Sequence, residues 1–392
     1  MSPDYDVAVI GGGIQGVGVA QAAAAAGYKV ILFEQQQLAS ATSSRSSKLI
    51  HGGLRYLESG QFGLVRKALL ERALLLKLAP ELVRLVPFYI PIYPETSRRA
   101  WQIRAGLSLY TALGNFSRDA RFKKIHQSAY SGLALKNTSS LQAVYQYQDA
   151  QTDDRALTMS VMQSAMQLGA ELLCPAKVSR LVCQQDRFVI GYEQQGTQLE
   201  CRSRVVINAA GPWVNEVLTM FEPGIPRLDM DLVQGTHLVL AQKAPEGIYY
   251  VEAPQDQRAV FVMPWQGKSL IGTTETAYSG EPSTTQPLQT EIDYLLTVYR
   301  HYFAGDDTVW NSFSGLRVLP RTTHHFFHRP RDTILYQHVA CKPLLTLYGG
   351  KLTGYRATAQ QVMKKILPLL PTKKTRADTA KLVLSPVEQA LC

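Results

Sequence analysis

Cysteine is scarce in this 392-residue sequence and follows no pattern. Cys174, Cys183, Cys201, Cys341 and Cys392 are an odd set with no C-x-x-C and no zinc-ligand spacing. The expectation is reduced thiols in a cytosolic chain, not a disulfide framework or a metal knuckle. Long apolar runs are missing too, since none approaches the roughly 18 residues a membrane-spanning helix requires. The opening "MSPDYDVAVIGGG" has no basic leader and no apolar h-region. That argues against a signal peptide and gives the cytoplasm, or the cytoplasmic face of the inner membrane, as the expected location. No G-x-S-x-G occurs, so the "HGGL" at 51–54 has no nucleophile elbow to serve as an α/β-hydrolase oxyanion loop. Positive charge is present but not concentrated. The 41 Lys and Arg against 31 Asp and Glu give +10, yet only short clusters such as Lys123-Lys124 and Lys373-Lys374 occur. Nucleic acid is therefore not the expected partner, whereas a small anion or a membrane surface is compatible with the charge. The cluster His324, His325 and His328 has no cysteine partner and no helical setting, and no metal is expected there.

What the sequence does contain begins at once. In "YDVAVIGGGIQGVGVAQAAAAAGYKVILFE", Tyr5 to Ile10 reads as a buried parallel strand, and Gly11, Gly13 and Gly16 spell G-x-G-x-x-G. An alanine-rich helix to Ala26, a turn at Gly27, a second strand from Lys29 to Phe33 and a terminal Glu34 follow. Gly11 allows the tight turn, Gly13 lets backbone approach a pyrophosphate, and Gly16 lets the helix lie close to the sheet. The helix N-terminus, with Ile14 and Gln15, offers unpaired N–H groups to phosphate, and Glu34 offers acceptors to ribose hydroxyls. A dinucleotide is the expected ligand. Two further strand-to-small-residue junctions, "VVINAAGPW" (205–213) and "LLTLYGGKLTG" (344–354), suit a longer molecule than NAD and point to FAD in an extended pose.

The loop "ATSSRSSKLIHGGLRYLE" (41–58), following that fingerprint, resembles the signature of the FAD-dependent, quinone-linked glycerol-3-phosphate dehydrogenase family. "DAQTDDRAL" (149–157), "QGTHLVL" (234–240), "FVMPWQGKSLIGTTET" (261–276), "SFSGLRVL" (312–319) and "LYGGKLTGYR" (347–356) extend the resemblance over most of the chain. The chain departs from the pattern by ending soon after the GGKLT helix, where members usually continue into a helical C-terminal domain. It also carries Arg45 where a small residue is usual.

The resemblance implies an α/β fold. A Rossmann-like FAD-binding domain of the glutathione-reductase/D-amino-acid-oxidase type would comprise residues 1–75, 150–215 and 312–372. An α+β substrate domain with a largely antiparallel sheet would take 76–149 and 216–311, with 373–392 as a tail. It implies FAD held by Gly11, Gly13, Ile14, Gln15, Gly16 and Glu34, by Thr42, Ser43, Ser44, Ser46 and Ser47, and by Lys48 and Leu49 under the isoalloxazine. Val178, Ala210, Gly211, Trp213, Gly350, Lys351, Leu352 and Thr353 complete the cofactor set. Arg317, Lys351 and Arg331 (with Arg329 as substitute) would bind the substrate phosphate, near Arg55, Tyr56 and Thr353. His237 is the expected base, because oxidation of a secondary alcohol needs a group titrating near neutrality, and His51 is second. The implied reaction is oxidation of sn-glycerol 3-phosphate to dihydroxyacetone phosphate by hydride transfer to flavin N5, with electrons passing to quinone. Oxidation of another hydroxy acid or an amine stays open, as do a non-catalytic flavin protein and a homodimer. The helical stretch 62–79 reads as a packing helix. The stretch 98–114, with Trp101 and Tyr110, is a candidate either for contact with a membrane surface or for burial in the core.

Overall fold

Residues 4–184, 187–222, 224–244, 246–321, 332–339, 341–389 and 391–392 are described by the structure, a computed structural model. The fingerprint seeds the first sheet. Asp4–Ile10 and Val30–Phe33 are strands on either side of the helix Ile14–Ala25. They pair in parallel, with Val7 opposite Val30 and Ile10 opposite Phe33. Glu171–Leu173 joins on one side, and Thr197–Asn208 and then Leu344–Tyr348 on the other, all in parallel. These strands are apolar on both faces because both faces are covered. Helices Ile14–Ala25, Asp154–Gln167 and Tyr355–Ile366 cover one face through Val17, Ala20, Leu157, Val161, Ala359 and Val362. An antiparallel meander, Lys177–Gln184 and Arg187–Gln194 leading into Thr197–Asn208, covers the other through Leu181, Phe188 and Ile190.

The second sheet holds, among the described residues, ten strands from Leu49–Ile50 to Val309–Pro320. Its pairings are antiparallel except that of Ile248–Glu252 with Val83–Ile92. The largely antiparallel second layer expected from the alternating runs is thus present. The helices Phe62–Leu78 and Ala100–Leu113 lie on this sheet and bury Val65, Leu69, Ile103, Leu107 and Tyr110. Trp101, by contrast, is 70% exposed, with Phe62, Leu70 and Phe116 also on the surface. Tyr110 is therefore a core residue and not a surface anchor, because it lies on the sheet-facing side of its helix.

Two expectations need correction. Cys174 and Cys392 form a disulfide across 218 residues, while Cys183, Cys201 and Cys341 are thiols. The pairing is invisible to spacing arguments because the chain after Leu370 is more than a tail. It runs back over the first sheet's helices, Arg376 and Ala377 donating their N–H groups to Ala25 O and Leu384 donating to Leu78 O.

Candidate active site

Four parallel strands of the first sheet end at one cavity. Ile10, Phe33, Asn208 and Tyr348 are strand termini, and Gly11, Glu34, Ala209 and Gly349 after them line a space of about 410 Å3. The carboxyl ends of parallel strands are where such sheets bind ligands. Gly11 sits at φ +112°, and a Cβ there would lie 2.5 Å from Ala209 O. A Cβ on Gly16 would lie 1.9 Å from Gly11 O, so the first helix can approach its strand only without one.

At the fingerprint end Glu34 accepts from Gly12 N through Oε2 and from Gln36 N through Oε1, both at 2.8 Å. Burial pushes its carboxyl above the usual range, against the lowering effect of those N–H donors. Ser43 Oγ accepts from Ile14 N at 2.9 Å, and Gln15 Nε2 donates to Lys351 O at 3.1 Å. Gln15 Oε1 is buried in the cavity wall without a partner among the described residues.

The loop 40–53 joins the two sheets. Thr42 Oγ1 donates to Leu316 O at 2.8 Å, Arg45 Nη1 donates to Ser314 O at 3.2 Å, and Ser47 Oγ meets His237 Nε2 at 2.9 Å. Asp154, at the start of a helix, anchors the loop from behind. It accepts from Ser46 N at 3.0 Å, Ser46 Oγ at 2.7 Å and Lys48 Nζ at 2.6 Å. Lys48 adopts φ +60°. Its side chain is buried against Asp154, with the ammonium near the rings of Trp265 and Phe313. Lys48 and Ser44 are not among the residues lining the cavity, and neither is Gly16, which serves packing. The expectation that Lys48 passes under the cofactor ring is corrected to a structural ion pair, while Leu49 does line the cavity.

The cavity also gathers cations. Arg45, Arg55, Lys177, Arg258, Arg317 and Lys351 all line the cavity, as do Tyr56, Tyr250, Phe261 and Glu275. Arg317 donates to Thr274 O at 3.3 Å and Thr273 Oγ1 at 3.4 Å, and stands 3.7 Å from Glu275. Lys351 Nζ lies 3.8 Å over the Tyr56 ring, which Arg55 also approaches. Thr353 Oγ1 accepts from His51 N at 3.1 Å. Both histidines line the wall, His237 buried and His51 half-buried. His237 stacks on Phe313 and His51 meets Phe261 edge-on. Burial, then Arg317 and Lys48, hold the His237 imidazole well below its ordinary pKa. Burial also lowers His51, with Asp149 opposing and Lys351, Arg55 and Arg72 assisting. Both are neutral at pH 7. Arg329, Arg331 and the 324–328 histidines lie outside the described residues.

Residues 6–356 match the family described as FAD dependent oxidoreductase, named DAO. The chain belongs to this family. It is 36% identical over 380 residues to the aerobic glycerol-3-phosphate dehydrogenase of Escherichia coli, covering 93% of this chain and 73% of that one. It is 34% identical to the D-erythritol 1-phosphate dehydrogenase of Brucella abortus, covering 93% and 74%. A solved glycerol-3-phosphate dehydrogenase from Bacillus halodurans, complexed with FAD, superposes with a TM-score of 0.72 at 26% identity, covering 97% of this chain and 68% of that one.

FAD is the cofactor of this oxidoreductase, and its residues fit it. The glycine turn, the amides at the start of the first helix, Glu34 and the orphaned Gln15 oxygen line one elongated space with Thr42, Ser43, Ser46 and Ser47. Val178, Ala210, Gly211, Trp213, Gly350 and Leu352 wall it further along. Sequence reasoning missed Tyr250, Arg258, Phe261 and Glu275 in the cavity wall. "FVMPWQGKSLIGTTET" signalled that region, but the alternation of a strand does not say which of its residues face a cavity formed with another sheet.

Proposed function

We propose that this oxidoreductase oxidises the secondary hydroxyl of sn-glycerol 3-phosphate to dihydroxyacetone phosphate and passes the electrons to a quinone. The observation that supports the reading is that Arg317, Lys351 and Arg55 line the same cavity as the fingerprint glycines. A dianionic phosphate rewards such a cluster, since guanidinium binds its oxygens with a planar fork and ammonium as a point charge. A neutral or monoanionic amino acid has no use for three cations. Identity of 36% to the E. coli dehydrogenase supports the same substrate class.

A bound flavin would supply the hydride acceptor for the carbinol carbon. The chain's own residues orient that carbon and take the hydroxyl proton. His237, uncharged and joined through Nε2 to the Ser47 hydroxyl on the cavity wall, is the proposed base, with His51 the second candidate. Arg317, braced by Thr273, Thr274 and Glu275, and Lys351, seated on Tyr56, hold the phosphate. Among the described residues no helix is long and apolar enough to cross a membrane. Exposed Trp101, Phe62, Leu70 and Phe116, beside Arg66, Lys67 and Arg104, support peripheral docking on a lipid surface, where a quinone is reached.

A longer phosphorylated polyol is the second reading, favoured by the extra Arg45 guanidinium in the cavity and the D-erythritol 1-phosphate dehydrogenase relative. Anaerobic mixing of the yellow protein with sn-glycerol 3-phosphate or D-erythritol 1-phosphate tests both. Bleaching of the flavin band by the first supports the main reading, and bleaching by the second alone supports the alternative. An unchanged spectrum with both refutes the phosphate-polyol reading.

A further inference from the structure

Behind the cavity, on the side away from the cofactor loop's serines, lies a buried polar chain to which the proposed reaction has assigned no part. The Gly52 N–H donates to Tyr110 Oη at 2.8 Å, and Tyr110 Oη donates to Asp149 Oδ2 at 2.6 Å. Asp149 Oδ1 in turn accepts from Arg72 Nη1 at 2.6 Å. Arg72 also donates to Gln148 O at 2.9 Å and Asp119 O at 3.0 Å. Tyr110 and Asp149 are 0% exposed and Arg72 is 1%. The direction of the chain is fixed. A backbone N–H can only donate, so the phenol oxygen accepts from Gly52 and its single O–H is left to donate to Asp149. Burial, then Asp149, hold Tyr110 well above the ordinary phenol pKa, which keeps it a phenol.

The contact is tight enough to dictate the backbone it touches. A Cβ on Gly52 would lie 2.4 Å from Tyr110 Oη, so only glycine lets the hydroxyl reach this amide. The same short segment is gripped at each neighbour. Leu49 and Ile50 pair with Gln151 and Ala150 on the strand that carries Asp149. His51 N donates to Thr353 Oγ1, and Gly53 takes φ +77°. His51, Gly52 and Gly53 themselves wall the cavity. Three separate elements therefore converge on one peptide plane. They are the helix of Arg72, the helix of Tyr110 and the strand of Asp149, and none of these three side chains' polar groups serves a helix cap or a strand ladder.

We propose that Tyr110 and Asp149 are positioning residues for the oxidation, fixing the His51–Gly52–Gly53 turn against the flavin and substrate through the Gly52 amide, with Arg72 holding Asp149 in place. This rests on the reading of the cavity as the site of substrate oxidation. Neither residue touches substrate. Their effect is on the placement of His51 and the turn, and a misplacement of about 1 Å can cost about 100-fold in rate.

Tyr110→Phe keeps the ring and deletes only the hydroxyl. In this variant the apo protein should exchange the amide hydrogens of the 49–56 segment at least about tenfold faster, since the Gly52 N–H loses its acceptor. The FAD-loaded variant should show a limiting rate of anaerobic flavin reduction about 10–100-fold below wild type, with the apparent substrate Kd changed less than about threefold. Asp149→Asn, which keeps shape and one acceptor oxygen, should show the same split. The midpoint potential of the bound flavin, titrated chemically without substrate, should also move in both variants. A lowered Tm with wild-type exchange at 49–56 and a wild-type rate per bound flavin overturns the proposal and leaves these residues as core. If sn-glycerol 3-phosphate fails to reduce the wild type, the functional reading falls, while the exchange and potential measurements still decide the positioning role.

Discussion

Asp154→Ala isolates the ion pair that anchors the cofactor loop. The side chains of Lys48 and Asp154 are 6% and 0% exposed, and their 2.6 Å contact has almost no solvent to replace it. Removing the carboxylate leaves the ammonium with Ser44 O but no counter-charge, and also deprives Ser46 N and Ser46 Oγ of their acceptor. Breaking one partner from a buried pair costs about 3–5 kcal/mol. With an unfolding entropy of about 2.1 cal/mol/K per residue, 392 residues give roughly 0.8 kcal/mol/K. The expected fall in Tm is then roughly 4–6 °C, read by calorimetry on the FAD-loaded protein. Lys48→Met should cost less. It leaves a carboxyl that burial already pushes toward the protonated form, against the opposing influence of Lys48 and Ser46. Asp154→Leu combined with Lys48→Met should recover most of the loss, since an apolar pair of similar volume is often neutral. FAD should also dissociate faster from Asp154→Ala, because the Ser46 segment is freed. A Tm within about 1 °C of wild type, with unchanged FAD retention, would refute the view that this pair organises the loop.

Three further outcomes follow from the cavity and the surface. Arg317→Ala should retain FAD but raise KM for sn-glycerol 3-phosphate about 10–150-fold, the equivalent of about 1.5–3 kcal/mol for a charge-assisted bond; unchanged steady-state kinetics would remove Arg317 from the phosphate site. The limiting rate of flavin reduction should be flat from pH 7 upward and fall only below about 6.5, the ordinary histidine value. A base acts unprotonated, and both imidazoles are lowered. An acid limb centred at or above about 7 would exclude His237 and His51 together. Trp101→Ser with Phe116→Ser should weaken co-sedimentation with anionic vesicles while leaving activity with a soluble dye acceptor at the wild-type level. Equal sedimentation would dismiss this face as the docking surface.

The first forty residues were legible because everything that defines a βαβ unit is local: strand, turn glycines, helix and terminal acid follow one another within one crossover. Arg317 and Lys351 were legible only through the motifs that contain them, since a lone arginine carries no local mark of its function. No pattern in "SSKLI" encodes the left-handed backbone of Lys48 or the placement of its ammonium between Asp154 and Ser44 O rather than in the cavity. Tyr110 read equally as surface or core because helical spacing alone does not say which face meets a sheet. The Cys174–Cys392 pair and the Tyr110–Asp149 contact join residues far apart in sequence. Such contacts exist only once the two sheets have been assembled.

The loop that cradles the cofactor is also stitched to the strand that presents Arg317. Thr42 bonds Leu316 O and Arg45 bonds Ser314 O, one residue to either side of Gly315. This linkage leads us to expect that occupancy of one half of the cavity is felt in the other. By reciprocity, whatever factor a phosphorylated ligand contributes to holding the flavin, the flavin contributes to holding that ligand. Protein stripped of its yellow colour should be a poor receptor for the phosphate compound, and saturating the latter should slow the escape of the former.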